Sequence, residues 1–188
     1  MITIEPVTAD RWDDLERLFG PSGAYSGCWC TWWRLSAKDW DAAGNEGRRA
    51  HLEAVVQRGE APGLLAYVDG EPVGWLAVAP RSAYPRLNRS PHTKPVDDEP
   101  VWSITCFWIA RGHRGSGIAS ALLEAAVAFA QERGAPAIEG YPVDPEVRRV
   151  DDAAAFTGVL PLFSRAGFVE MARRSTTSRV VVRRRLTS

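Results

Sequence analysis

Residues 101–133 read VWSITCFWIARGHRGSGIASALLEAAVAFAQER, and three kinds of local structure follow one another within them. Val101 to Ile109 is apolar, with β-branched and aromatic side chains dense enough for a buried strand. Ile118, Leu122, Ala126 and Phe129 recur at helical spacing, with Ser120, Glu124 and Gln131 on other faces. Between strand and helix lie Gly112, Gly115 and Gly117, with Arg111 and Arg114 beside them. Glycines at such a junction let the chain turn tightly and leave the first helical amides uncovered. Several N–H groups and the positive end of the helix dipole then face an anion, and the stretch predicts a phosphate cradle.

Spacing narrows the kind of cradle. A Walker loop ends in Gly-Lys-Ser/Thr, and no lysine is near Gly117. A dinucleotide fingerprint asks for a glycine or alanine where Ser120 stands, although Glu139, about 20 residues on, keeps an NAD(P)-dependent oxidoreductase open as an alternative. Arg114-Gly115-Ser116-Gly117-Ile118-Ala119 instead resembles the Arg/Gln-x-x-Gly-x-Gly/Ala signature of the GCN5-related N-acetyltransferases (GNAT), whose loop holds the pyrophosphate of acetyl-CoA. Asp69-Gly70 followed by Val73-Gly74, and Leu162-Phe163-Ser164-Arg165-Ala166-Gly167-Phe168, are similar to further elements of that family, the latter to its Leu-Tyr-x-x-x-Gly-Phe ending.

The rest of the chain accords with one such domain over residues 1–188. A strand from Met1 to Pro6 precedes a helix from Ala9 to Phe19 capped by Thr8. A second helix spans Asn45 to Arg58. Strands at Leu64–Val68 and Val73–Ala79 are joined by the Asp69-Gly70 turn. Pro80 to Pro100 carries five prolines and is either an ordered flap or a mobile excursion. After the central unit come a strand from Ala137 to Val143, a charged connection from Asp144 to Asp152, and a helix from Thr157 to Arg165. Strands at Phe168–Arg173 and Thr177–Leu186 end the chain. The resemblance implies an α/β (α+β) fold: a mixed, mostly antiparallel twisted sheet of about seven strands flanked by about four helices.

Lys plus Arg and Asp plus Glu are both 23, so no overall charge draws the chain to nucleic acid or an anionic membrane. Arg173-Arg174 and Arg183-Arg184-Arg185 read as an exposed face of terminal strands or as a local basic patch. No apolar run has the length of a membrane span, and the N-terminus lacks the basic and apolar regions of a signal peptide. A cytoplasmic location with three reduced cysteines is therefore expected. A monomer or a homodimer fits equally.

By the resemblance, acetyl-CoA is the co-substrate and no metal is needed. Phe107 would offer an amide to the thioester carbonyl, Ile109 with its neighbour Trp108 would pair with pantetheine, and the amides from Arg114 to Ala119 would take the pyrophosphate. Ser103 stands where the family often has a glutamate base, on the face that counting in steps of two shares with Thr105, Phe107 and Ile109. Serine cannot be a base but can position a relay water. Glu139 and Tyr141 on the next strand are the other proton-handling candidates. Phe163 occupies the family's tyrosine-acid place beside the cofactor. Either Tyr141, Cys106 or water then protonates the thiolate, or the chain is an acyl-CoA-binding sensor with little catalysis. If an acid is missing, Phe163→Tyr would raise turnover.

Tyr25 to Trp40, YSGCWCTWWRLSAKDW, falls where the family builds much of its acceptor pocket. Tyr25, Trp29, Trp32 and Trp33, with Trp40, could line it, suiting a small aromatic amine or an alkylammonium held by cation–π contact. Core packing explains the same aromatics. Cys28 and Cys30 read as small buried groups, a lone Cys-x-Cys being a weak zinc signal.

Overall fold

The computed structural model describes residues 1–147, 155–174 and 178–186. The expected charged connection beyond residue 147 and the expected start of the last strand at Thr177 lie outside the described residues. Seven strands form one sheet in the order β1-β2-β3-β4-β5-β7-β6: β1 Ile2–Pro6, β2 Gly63–Val68, β3 Glu71–Pro80, β4 Trp102–Ile109, β5 Ala137–Gly140, β6 Val169–Arg173 and β7 Val180–Arg185. Every neighbouring pair is antiparallel except β4 and β5. The helices are α1 Trp12–Phe19, α2 Ala37–Gln57, α3 Pro85–Arg89, α4 Ile118–Glu132 and α5 Leu160–Arg165.

Alternation along β3 builds two cores. Leu76 and Val78 face α4, whose Ile118, Leu122, Ala126 and Phe129 cover that side. Trp75 and Ala77 face Trp12, Leu15 and Phe19 of α1 and Leu52 and Val56 of α2. Asp69 (φ 50°) and Gly70 (φ 84°) form the β2–β3 turn, both in the left-handed region that such a hairpin demands.

Several elements depart from expectation. Thr8 makes no side-chain cap bond; its hydroxyl turns to Asp10. The second helix starts at Ala37, where Ser36 accepts the Asp39 amide (3.1 Å), and it bends at Gly44 (φ 61°). Residues 80–100 are an ordered flap containing α3. The Arg86 guanidinium donates to the Leu35 carbonyl (3.0 Å), and Arg81 donates to the Thr93 carbonyl (2.6 Å). The arginine runs are not a basic patch: Arg173 pairs with Asp144 and Glu170, Arg184 with Glu124, and Arg185 with Glu99, while Arg183 is buried.

Candidate active site

Two irregularities open the sheet. Between Ala77↔Cys106 and Val78↔Ile104 the register slips, leaving Thr105 as an extra residue in β4. Parallel β4 and β5 then pair only at Trp102↔Ile138, Ser103↔Glu139 and Ile104↔Gly140 before they part. Beyond that point, one edge of β4 has no strand beside it. The Ala110 amide donates to the Val73 carbonyl on β3 (2.9 Å). Because alternate amides of a strand point to opposite edges, those of Phe107 and Ile109 face the open edge.

A cleft of about 1030 Å³ follows that edge. At one end lie Arg114, Gly115, Gly117, Ile118 and Ala119, where the strand-to-helix loop meets α4. Gly115 (φ 75°) and Gly117 (φ 85°) adopt backbone open to glycine, and a Cβ on either would meet nothing within 4 Å. Gly117 caps α4 without a side-chain bond, so the first amides of that 15-residue helix keep their hydrogens for a ligand. A diphosphate fits this cradle. Ser116 is not in the wall; its hydroxyl donates to the His113 carbonyl.

The cleft continues past Phe107, Trp108 and Ile109 to an aromatic end formed by Tyr25, Trp32, Trp33, Trp40 and Phe156. The wall on this side is the 23–30 segment, wound through left-handed backbone at Ala24, Ser26, Trp29 and Cys30. Trp29, expected to line an acceptor pocket, belongs to the core instead. It stacks on Trp12 (6.2 Å), crosses Phe19 edge-on (5.6 Å), and its indole nitrogen donates to Asn45. The exposed faces invoked for an alkylammonium are partly taken. Arg48 lies 3.2 Å over Trp40 and Arg86 lies 3.9 Å over Trp32.

Cys28, Cys30 and Cys106 also line the cleft. The sulfurs of Cys30 and Cys106 are 3.0 Å apart, and Cys28 Sγ accepts the Cys30 amide (3.4 Å). The Cys30 thiol beside it, and burial, push Cys28 upward; burial and Cys106 do the same for Cys30. These two remain thiols, poor nucleophiles at neutral pH.

The proton-handling candidates stand elsewhere. The β4 bulge breaks the count of two, so Phe107 and Ile109 share the α4 side with Ile104, while Ser103 sits on Tyr141 (2.8 Å) and Cys106 and Trp108 face the α1 side. Glu139 is 1% exposed and takes Arg183 (2.7 Å) and Arg81 (3.4 Å) as ion partners. Tyr141 is fully buried, donates to Glu139 (3.1 Å) and accepts from Arg81 (2.7 Å); burial and the Glu139 charge push its phenol up. None of the three lines the cleft. Their positions suit a polar pillar fixing β5 and the flap, not proton transfer in the cleft. Phe163 likewise lies behind the wall, edge-on to Phe107 (6.0 Å), with Val159 and Leu162 in front. Two further cleft residues, Phe156 and Arg179, carry no sequence signal, because they reach the cleft from segments far from the central strand and helix.

A protein-family model described as the Acetyltransferase (GNAT) family matches residues 29–149. No curated protein matches the chain in sequence. Among solved structures, the chain is similar to an acetyltransferase of Corynebacterium glutamicum described as histone acetyltransferase HPA2 and related acetyltransferase (20% identity, TM-score 0.56, 100% and 97% of the two chains covered). It is also similar to the PaiA N-acetyltransferase of Thermoplasma acidophilum in complex with coenzyme A (11%, 0.55, 98% and 99%). A chain of the NatC complex bound to Gag peptide and CoA superposes comparably (16%, 0.57, 99% and 99%).

Proposed function

The chain belongs to the GNAT acetyltransferase family and is an acetyl-CoA-dependent acetyltransferase; from that premise we propose that it passes the acetyl group directly to a primary amine of a small molecule. One observation carries the reading: the cradle at α4 and the aromatic end open into one continuous cleft along the free edge of β4. Donor and acceptor can therefore meet without a covalent enzyme intermediate. Three free cysteines fit a reducing, cytoplasmic compartment.

Acetyl-CoA supplies a thioester whose carbonyl carbon bonds to the amine nitrogen as the carbon–sulfur bond breaks. In this reading, the amides of Ile118 and Ala119, with the turn at Arg114 to Gly117, hold the diphosphate. The outward Phe107 amide stabilises the negative oxygen of the addition step, a contribution of about 2–4 kcal/mol for one well-placed donor. The outward Ile109 amide, with Trp108 beside it in the cleft wall, pairs with a pantetheine carbonyl. Tyr25, Trp32 and Trp33 border the acceptor. In this reading the amine gives its proton to water. The departing thiolate is protonated by water or by Cys106, which borders Phe107. Positioning and backbone electrostatics supply the remainder of the rate.

The test is a melting-temperature titration with acetyl-CoA, CoA and NADH, followed by thiol release across a panel of amines and one peptide N-terminus. Stabilisation by acetyl-CoA and CoA alone, and thiol release with small amines, is expected. Gly117→Trp fills the cradle and should reduce CoA affinity at least a hundredfold, about 2.7 kcal/mol. Undiminished affinity would remove the cradle assignment, stabilisation by NADH would revive the dinucleotide alternative, CoA binding without thiol release would favour a sensor, and transfer to the peptide alone would replace the small-molecule acceptor.

A further inference from the structure

Three thiols gather on the cleft wall, and the acetyl-transfer steps above use none of them as a nucleophile. Cys28 and Cys30 belong to the 23–30 segment, whereas Cys106 is on β4, after the Thr105 bulge and before Phe107. Cys30 and Cys106 are nearly buried, yet both border the cleft, and they share the α1-side core with Trp29 and Trp75. Their sulfurs are 3.0 Å apart across 76 positions of chain. That contact joins the 23–30 wall to the central strand.

Geometry and backbone together give this contact meaning. A disulfide holds its sulfurs about 2 Å apart, so closure asks the two to approach by about 1 Å. The backbone decides which side yields. Cys106 is held in a strand, paired to Ala77 of β3. Cys30 lies in a turn at the end of a left-handed run, at φ 51° beside Trp29 at φ 45°. Closure therefore draws the wall toward β4, where the next residue is Phe107, whose amide the transfer reading places on the thioester oxygen. A shift of about 1 Å beside reacting groups can lower a rate by about a hundredfold. Paired thiols in a reducing compartment are characteristically redox-responsive rather than structural.

We propose that Cys30 and Cys106 are a reversible dithiol–disulfide pair, closed by a hydroperoxide, and that closure draws the 23–30 wall onto β4 and slows acetyl transfer. One thiolate attacks the peroxide: a sulfur–oxygen bond forms as the oxygen–oxygen bond breaks, and the departing oxygen takes a proton and leaves as water or an alcohol. The second thiol then attacks the sulfenic acid so formed. The sulfur–sulfur bond forms, the sulfur–oxygen bond breaks, and the hydroxyl leaves as water with the thiol proton. The two sulfurs together give up two electrons, which the two peroxide oxygens take. A dithiol reductant reverses the bond by exchange. Burial and Cys106 hold Cys30 as a thiol, so closure calls for excess oxidant. The linkage stands on geometry alone; its effect on turnover rests on the small-amine reading.

The experiment treats the full chain with excess hydrogen peroxide and then with dithiothreitol. The oxidised protein should be lighter by two hydrogens, and an unreduced tryptic digest should join the Cys106 peptide to the one that carries both Cys28 and Cys30. Cys28→Ala should keep that linkage, while Cys30→Ala and Cys106→Ala should each lose it, with melting temperatures checking that all three fold. Hydrogen exchange over residues 23–30 should slow on oxidation and recover on reduction, in the wild type and Cys28→Ala only. Turnover, read as loss of thioester absorbance with the best amine of the panel, should fall roughly tenfold to a hundredfold on oxidation and return with dithiothreitol. Sulfinic acids without linkage, a bond between Cys28 and Cys30, or a linkage that leaves either the exchange or the turnover of an active protein unchanged overturns the inference and leaves small-amine transfer standing. Linkage with slowed exchange in a protein that consumes no thioester even when reduced supports the pair and sinks the transfer reading.

Discussion

Phe163 is the residue at which chemistry expected from a sequence pattern gives way to packing. Its ring is fully buried, edge-on to both Phe107 and Phe168. It leans so closely on two glycines that a Cβ on Gly140 would lie 2.2 Å from the ring, and one on Gly158 2.7 Å. The ring fills the point where β4 and β5 part. A hydroxyl on its para carbon would press toward β5, since that carbon is only 2.7 Å from the Gly140 Cβ position. Phe163→Tyr is therefore expected to cost about 1–3 kcal/mol of stability by overpacking and to leave turnover no higher, read by denaturant unfolding and by kcat. A rise in kcat would mean that the hydroxyl finds the thiolate after all. Sequence spacing identifies the position and not the direction of its side chain. The same holds for Ser103, whose face depends on a one-residue bulge at Thr105 that no composition signal marks.

At the scale of elements, the flap over residues 80–100 is an electrostatic assembly. Arg183 on β7 reaches Asp97 and Glu99 (2.7 Å each) as well as Glu139 beneath them. Arg174 adds hydrogen bonds to the His92 and Lys94 carbonyls (3.3 and 3.2 Å). The Arg183 guanidinium holds the Asp97 carboxyl down to about 2 from its ordinary 3.8. A carboxyl depressed on folding stabilises the folded form above its unfolded pKa and loses that contribution as pH falls through its folded one. Hydrogen exchange at the flap amides should thus accelerate, relative to the central strands, as pH is lowered from about 4 to about 2. Asp97→Asn should show the faster flap exchange already at neutral pH; identical protection would mean that Asp97 does not latch the flap. The central strand, loop and helix are legible in the sequence because apolar runs, glycines and helical spacing all agree there. The flap is not, because its order comes from partners on β5 and β7 far along the chain, which a prolyl-rich segment does not announce.

Across the whole molecule, acidic and basic side chains are equal in number, and many of them meet in local pairs such as Arg49 with Glu16 and Glu53 and Arg173 with Asp144 and Glu170. Fold class and strand number follow from sequence, as does the strand–glycine–helix turn proposed as the cradle, because each is written in neighbouring residues. The end of the cleft proposed for the acceptor is assembled from residues 23–40, β4, and the segments around Phe156 and Arg179, so only the first of these could be suspected beforehand. In the proposed reading both ligands share a single cavity. A conjugate in which the sulfur of CoA is joined through a two-carbon bridge to the nitrogen of a small primary amine would present its second half at very high local concentration once the first is bound. Such a tethered ligand should bind about a hundred to ten thousand times more tightly than either half alone, measured by competition against CoA. An affinity no better than that of CoA would mean that the two ends of the cleft cannot be spanned at once.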